Sequence, residues 1–372
     1  MIRLMAGRGS GRPKARASDP PARHLAAAIV TAALCCAVFS LAACGSSRSV
    51  YITGARPERA ELGELFNLLD APGTDPVERY AAVKRISSIL LRQKEYGRLT
   101  LLLTDTAAQR PNDPYAAYYL FAAAYVYDLE GSSPIAALYY DRIVKDYPDL
   151  VVDGSSLHYQ CLRRLIDTVS SPERRIEYYK DLITRFPDRV DMGSMLFLLG
   201  KEYEKVGDWD LAVKTYGKFL PYFGASIPGY PDAFQYARTV VDFVNSPKDW
   251  TYEDLDVLVN KVKAALAAGD PYRLRACRAK VNFFAMSWHQ DENDVNSQVL
   301  FDFTEFMSGG RVYYSDGLDP SSGPRDAYLK TWGWSERIST WYLYFRKIYF
   351  PADPEIHGRW EWAGIYFGEK MQ

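Results

Sequence analysis

Between Glu58 and Ala268, apolar residues recur three and four positions apart, the period of helices that bury one face. The clearest run is 251–268, where Leu255, Leu258, Val259, Val262 and Leu266 fall on one side. After Gly269-Asp270-Pro271 the pattern changes. Val281–Trp288, Val299–Phe306 and Arg311–Tyr314 are rich in aromatic and branched residues and predict strands. A terminal hairpin is predicted from Ser339–Tyr349 and Arg359–Phe367, joined through Pro351–Gly358. Alternation puts Trp341, Leu343 and Phe345 on one face, and Trp360, Trp362 and Tyr366 on one face of the partner strand. The expected division is a helical region at 58–268 and a small α+β unit with an antiparallel, aromatic-rich sheet at 269–372.

The helical region repeats itself. Ala137–Asp149 lies over Ile176–Asp188 at an offset of 39, sharing Tyr-Tyr, an aliphatic pair, an aromatic and Pro-Asp. Prolines recur at Pro111, Pro148 and Pro187, each closing an apolar-periodic segment that it cannot continue. Four divergent repeats are expected between Glu58 and Phe223, with a further helix pair at Asp232–Ala268.

These segments resemble tetratricopeptide repeats, in which paired antiparallel helices pack a small residue against a neighbouring aromatic. The resemblance rests on Ala122 with Tyr125, on Ala136, Tyr140, Ile143 and Pro148, and on Tyr179 and Pro187. It is closest at Leu199-Gly200, Tyr203, Asp208, Ala212 and Tyr216. There it implies that Gly200 and Ala212 let two helices approach, while Tyr203 and Tyr216 fill the space beside them. Arg163 and Arg175 depart from the pattern, standing where small residues are expected. The spacing of 37–39 also exceeds the family's usual ~34. The many repeat-internal tyrosines read as packing residues, with a peptide groove as the alternative use.

The second unit holds six of the eight tryptophans, enough to form a small domain's core or to line a concave pocket. Trp288, Trp334, Trp341, Trp360 and Trp362 are the candidate pocket residues for a small molecule, glycan or lipid. A helix followed by a curved sheet that ends in such a hairpin resembles the nuclear-transport-factor-two-like fold, a resemblance of pattern without a motif.

The start of the chain changes the picture. Arg3, Arg8, Arg12, Lys14, Arg16 and Arg23 precede an uncharged apolar run, Leu25–Ala43, that stops at Leu41-Ala42-Ala43-Cys44-Gly45. A basic leader, an apolar core and small residues before a cut make a secretory signal peptide. An uncharged run of this length is also long enough for a membrane span, but the abrupt small-residue ending favours the leader. The ending resembles the lipobox of bacterial lipoproteins, which implies removal of 1–43 and lipid on Cys44. Residues 44–57 then form a tether, and the bilayer becomes a partner through the anchor. The expected location is the cell envelope, on a periplasmic or surface face.

The whole chain has a formal net charge of −1 and loses mainly basic residues with the leader, so the mature part is weakly acidic. That balance speaks against nucleic acid as a partner, which calls for a clustered basic face. Past the leader and Cys44, Cys161 and Cys277 are the remaining cysteines, expected as separately buried thiols, with a disulfide between them as the alternative open to an exported protein. His158 and Cys161 are too few ligands for a metal, and Asp291, Glu292 and Asp294 read as a solvated turn. No catalytic set, cofactor site or metal site is expected. The functional expectation is a membrane-tethered scaffold that binds another envelope protein or peptide through its repeats. The alternative is a ligand-binding, or enzymatic, role for the aromatic unit.

Overall fold

The computed structural model describes residues 48–290 and 301–370. Cys44 with its leader, and Asp291, Glu292 and Asp294, lie outside the described residues. Two compact units divide between Tyr115 and Ala116, and thirteen α-helices fall among the described residues.

The first unit contains a 3-10 turn and helices α1 (Arg56–Asp70), α2 (Pro76–Arg92) and α3 (Tyr96–Gln109). Asp75 starts α2 by accepting the Val77 amide at 2.7 Å, with Pro76 in the first turn, where its missing N–H costs nothing. Leu62, Phe66, Val83, Ile86, Ile89, Leu99 and Leu103 are buried. Arg79 reaches the buried Asp113 carboxylate at 2.6 Å and so ties the turn after α3 back to α2.

In the second unit, α4 (Ala116–Leu129), α5 (Ser133–Asp146), α6 (Leu157–Thr168), α7 (Pro172–Arg185), α8 (Met192–Lys205), α9 (Trp209–Phe219) and α10 (Ala233–Asn245) pack consecutively, each on the next. Side-chain caps begin three of them: Ser156 on α6, Ser171 on α7 and Asp208 on α9. A short hairpin, β1 (Val151–Val152) and β2 (Ser155–Ser156), precedes α6 and turns on Asp153-Gly154, both at positive φ.

Helices α11 (Leu255–Ala267), α12 (Pro271–Cys277) and α13 (Phe303–Ser308) accompany a five-stranded mixed sheet. Its strands are β3 (Phe284–Ser287), β4 (Tyr313–Tyr314), β5 (Asp326–Trp332), β6 (Trp341–Lys347) and β7 (Trp360–Phe367), in the order β3-β7-β6-β5-β4. The β3–β7 pairing is parallel, which corrects the expected antiparallel sheet. The inner face of the sheet packs on Leu258, Val259, Val262 and Leu266 of α11, all buried, each such side chain contributing roughly 1.5–3 kcal/mol. The apolar stripe of α11 thus faces the sheet, whereas the sequence pairs this helix with α10. Pro271 opens α12 under an Asp270 cap.

Two expectations about the sheet change. Val299–Phe306 is not a strand where it is described, because Asp302 caps α13 by accepting the Thr304 amide at 2.9 Å. On β7, Trp360 and Trp362 share the inner face with Ile365, but Tyr366 points to the opposite side. A bulge between Tyr344 and Phe345 of β6 and the facing β7 residues is the cause. Phe345 pairs with Trp362 and Tyr344 with Gly364, which leaves Ala363 as the extra residue and inverts the alternation beyond it.

Candidate functional site

An open groove of about 580 Å³ runs between α4, α5 and α6. Helix α4 buries Ala116, Ala117, Ala123 and Ala124, small enough for close packing, and leaves Phe121 and Tyr125 on the groove side. Tyr140 of α5 forms the floor. Its ring lies 5.7 Å from Phe121, and its hydroxyl donates to Asp128 at 2.9 Å. Burial, then the Asp128 carboxylate, push the Tyr140 phenol well above its ordinary range, so it stays a neutral donor.

Helix α6 supplies the other wall. Leu162, Leu165 and Ile166 are buried, while Tyr159, Gln160, Arg163, Arg164 and Asp167 face the opening at helical spacing. Tyr159 is fixed from several sides. Phe186 packs edge-on at 5.5 Å, the Arg189 guanidinium lies 4.7 Å over the ring, and the hydroxyl donates to the Arg189 carbonyl at 3.0 Å. Arg163 and Arg164 are exposed, and neither is in an ion pair with a described residue. The result is a row of aromatic side chains beside two exposed guanidiniums, of which Arg163 donates to the Tyr159 hydroxyl at 3.4 Å.

The repeat residues read from the sequence fall into two groups. Ala136, Tyr140, Tyr179, Gly200, Tyr203, Ala212 and Tyr216 are buried among the helices, and a Cβ on Gly200 would stand 2.5 Å from the Tyr216 ring. Pro148 and Pro187 are exposed just beyond the ends of α5 and α7. Ala122 is only half-buried, and Tyr125, 41% exposed, lines the open groove. The neighbouring Ala123 and Ala124 are the fully buried small residues at this point of α4.

Arg163 and Arg175 show what the departures from the repeat pattern bring. Arg163 enters the groove. Arg175 instead reaches Glu202 at 3.2 Å across the α7–α8 contact, and Lys205 meets the same carboxylate at 2.9 Å. One helix pair further on, Glu204 accepts the hydroxyls of Tyr216 and Tyr236, each at 2.6 Å, and pairs with Lys201.

The five candidate pocket tryptophans do not converge. Trp334, Trp341, Trp360 and Trp362 are buried in the core between sheet and helices, while Trp288 stacks on Tyr366 on the opposite face. Cys161 and Cys277 are free and buried, and burial raises both thiols. Among the described residues, no helix is long and apolar enough to cross a membrane. No protein-family model matches the chain, and no curated protein matches it.

Proposed function

We propose that the protein is an exported lipoprotein, held at a membrane by lipid on Cys44, whose divergent tetratricopeptide-type helices bind a segment of another envelope protein. The leader and the residues before Cys44 support the anchor. The α4–α6 groove supports the binding role and is the observation that carries it: Phe121, Tyr125 and Tyr159 line it beside Arg163 and Arg164. Tyr and Arg are the residue types on which binding energy concentrates at interfaces. A partner segment with an apolar or aromatic anchor and a carboxylate matches this lining. Stacked helices also expose such a surface without being consumed by it, because each needs only its neighbours for a core.

A small ligand held among the tryptophans is the weaker reading, since four of the five lie within the packed core of the sheet unit. Co-purification from gently solubilised envelope tests the proposal. The full chain is expected to bring down a defined protein that the Tyr125→Ala, Arg163→Ala double variant loses, with an unchanged melting curve. Cys44→Ala is expected to abolish acyl labelling. A partner retained by the double variant would remove the groove from the account, and a labelled Cys44→Ala protein would remove the anchor.

A further inference from the structure

The outer face of the sheet, opposite α11, is as aromatic as the inner one. Tyr328, Tyr342, Tyr344 and Tyr366 stand on it, with Trp288 directly beyond β3. Four of these rings form one cluster, in which Trp288 touches the other three. Trp288 stacks on Tyr366 at 4.2 Å and 9°, meets Tyr342 edge-on at 5.4 Å, and lies 5.8 Å from Tyr328. The indole N–H donates to the Gly368 carbonyl at 3.1 Å, which sets the ring plane beside the segment that leaves β7.

A cation already sits against two of the four rings. The Lys370 ammonium lies 4.2 Å from the centroid of the Tyr328 ring and 5.3 Å from that of Trp288. Both distances are within the reach over which a ring quadrupole attracts a cation. Its hydrogen-bond supply from the protein is thin: an ammonium has three donors, and among the described residues it meets only the Ser321 hydroxyl. The rim is acidic. Asp319 accepts the Ser321 hydroxyl and amide, and Glu369 accepts the Thr340 hydroxyl.

We infer that the Tyr328 and Trp288 faces of this cluster are a binding site for a trimethylammonium group, with Lys370 as its resident occupant and competitor. The match is chemical. Ring faces and nearby carboxylates stabilise positive charge, and a quaternary cation needs none of the hydrogen bonds that the site fails to give Lys370. The inference is independent of the α4–α6 groove, from which it shares no residue.

The test uses the full chain. Choline is titrated by calorimetry into wild type and Lys370→Ala, beside its neutral isostere 3,3-dimethyl-1-butanol. Removing the resident cation is expected to tighten choline binding at least tenfold, with no saturable binding of the alcohol. Adding Tyr328→Ala to Lys370→Ala is expected to abolish binding. Phosphatidylcholine vesicles against phosphatidylglycerol vesicles distinguish a lipid headgroup from a free cation, and binding to either source supports the site. A cooperatively folded Lys370→Ala protein that binds neither choline nor phosphatidylcholine overturns the inference, as does equal binding of the neutral alcohol. Should Lys370→Ala fail to fold, wild type decides. Choline, and not the alcohol, must shift the Lys370 side-chain resonances, and unmoved resonances at saturating choline overturn the inference.

Discussion

Gly200 of α8 lies against the ring of Tyr216 of α9, so close that a Cβ on Gly200 would be 2.5 Å from one ring carbon and 2.9 Å from two more. The ring cannot step aside freely. Tyr216 is fully buried, and its hydroxyl donates to Glu204, an acceptor shared with Tyr236. Gly200→Leu should therefore destabilise the second unit by ~2 kcal/mol or more through overpacking. Tyr216→Ala should cost ~3 kcal/mol as the deletion of a buried aromatic. In the double variant the Leu enters the vacated space, so the two costs should sum to less than their separate values. Chemical denaturation of the four proteins checks this, and strict additivity would deny the contact.

The Arg175–Glu202 pair leads to a second prediction. Glu202 is 2% exposed and accepts Arg175 and Lys205 on the same oxygen, Oε1. Arg175→Met should cost up to ~3 kcal/mol, the range for a buried pair broken on one side, tempered by the Lys205 partner that remains. Arg175→Met with Glu202→Leu should recover most of that loss, because no charge is then left buried without its partner. Denaturation midpoints for the three proteins decide it. A double variant no better than the single one would mean that the carboxylate has a further role.

Much of this arrangement can be read in the sequence, and the parts that cannot have physical causes. An acid twelve residues before a tyrosine recurs at Asp128 and Tyr140, Asp167 and Tyr179, and Glu204 and Tyr216. It makes a hydrogen bond in the first and last of these. Periodicity locates the helices because burial on one face sets the period. It does not say which element covers that face, so it pairs α11 with a helix although α11 packs on the sheet. Helix α13 was hidden by its aromatic run, yet Asp302 three residues before Glu305 is a helix-start signal. Strand β5 alternates Ala327, Leu329 and Thr331 inward against Tyr328 and Lys330, and its charged residues masked that alternation. The groove arises from three helices whose surfaces meet only in space. Its clearest sequence trace is Arg163, one of the two residues that break the repeat pattern.

A third prediction concerns pH. His158 is 3% exposed, and its Nδ1 accepts from Arg185. Burial first, and then the Arg185 charge, lower its pKa from the ordinary value of 6.5, while Asp149 opposes them. The unfolded chain therefore takes up the proton at a higher pH than the folded one. His158 leaves stability intact above about pH 6.5 and reduces it as pH falls from there, until the folded imidazole also protonates. His158→Leu should flatten that part of the stability profile. Carboxylates govern the lower range, so the comparison is made between pH 7 and pH 5. An unchanged slope in the variant would show that this imidazole does not couple to folding.

The bulge at Ala363 supports the last prediction. Because Phe345 pairs with Trp362 and Tyr344 with Gly364, the ladder already treats Ala363 as surplus. Removing it would join Trp362 directly to Gly364 and restore strict alternation. Trp360, Trp362, Ile365 and Phe367 would stay on the inner face, and Gly364 and Tyr366 on the outer. Deleting Leu343 from β6 is different in kind, since no partner residue is spare and every side chain on one side of the cut must change face. The Ala363 deletion should therefore fold cooperatively with a lowered midpoint, having lost the packing of a fully buried residue beside Phe284 and Tyr344. The Leu343 deletion should lose the near-ultraviolet signal of the tryptophan core. Circular dichroism of the two deletions separates them, and equal damage would mean that the bulge itself is required for the sheet to pack on α11.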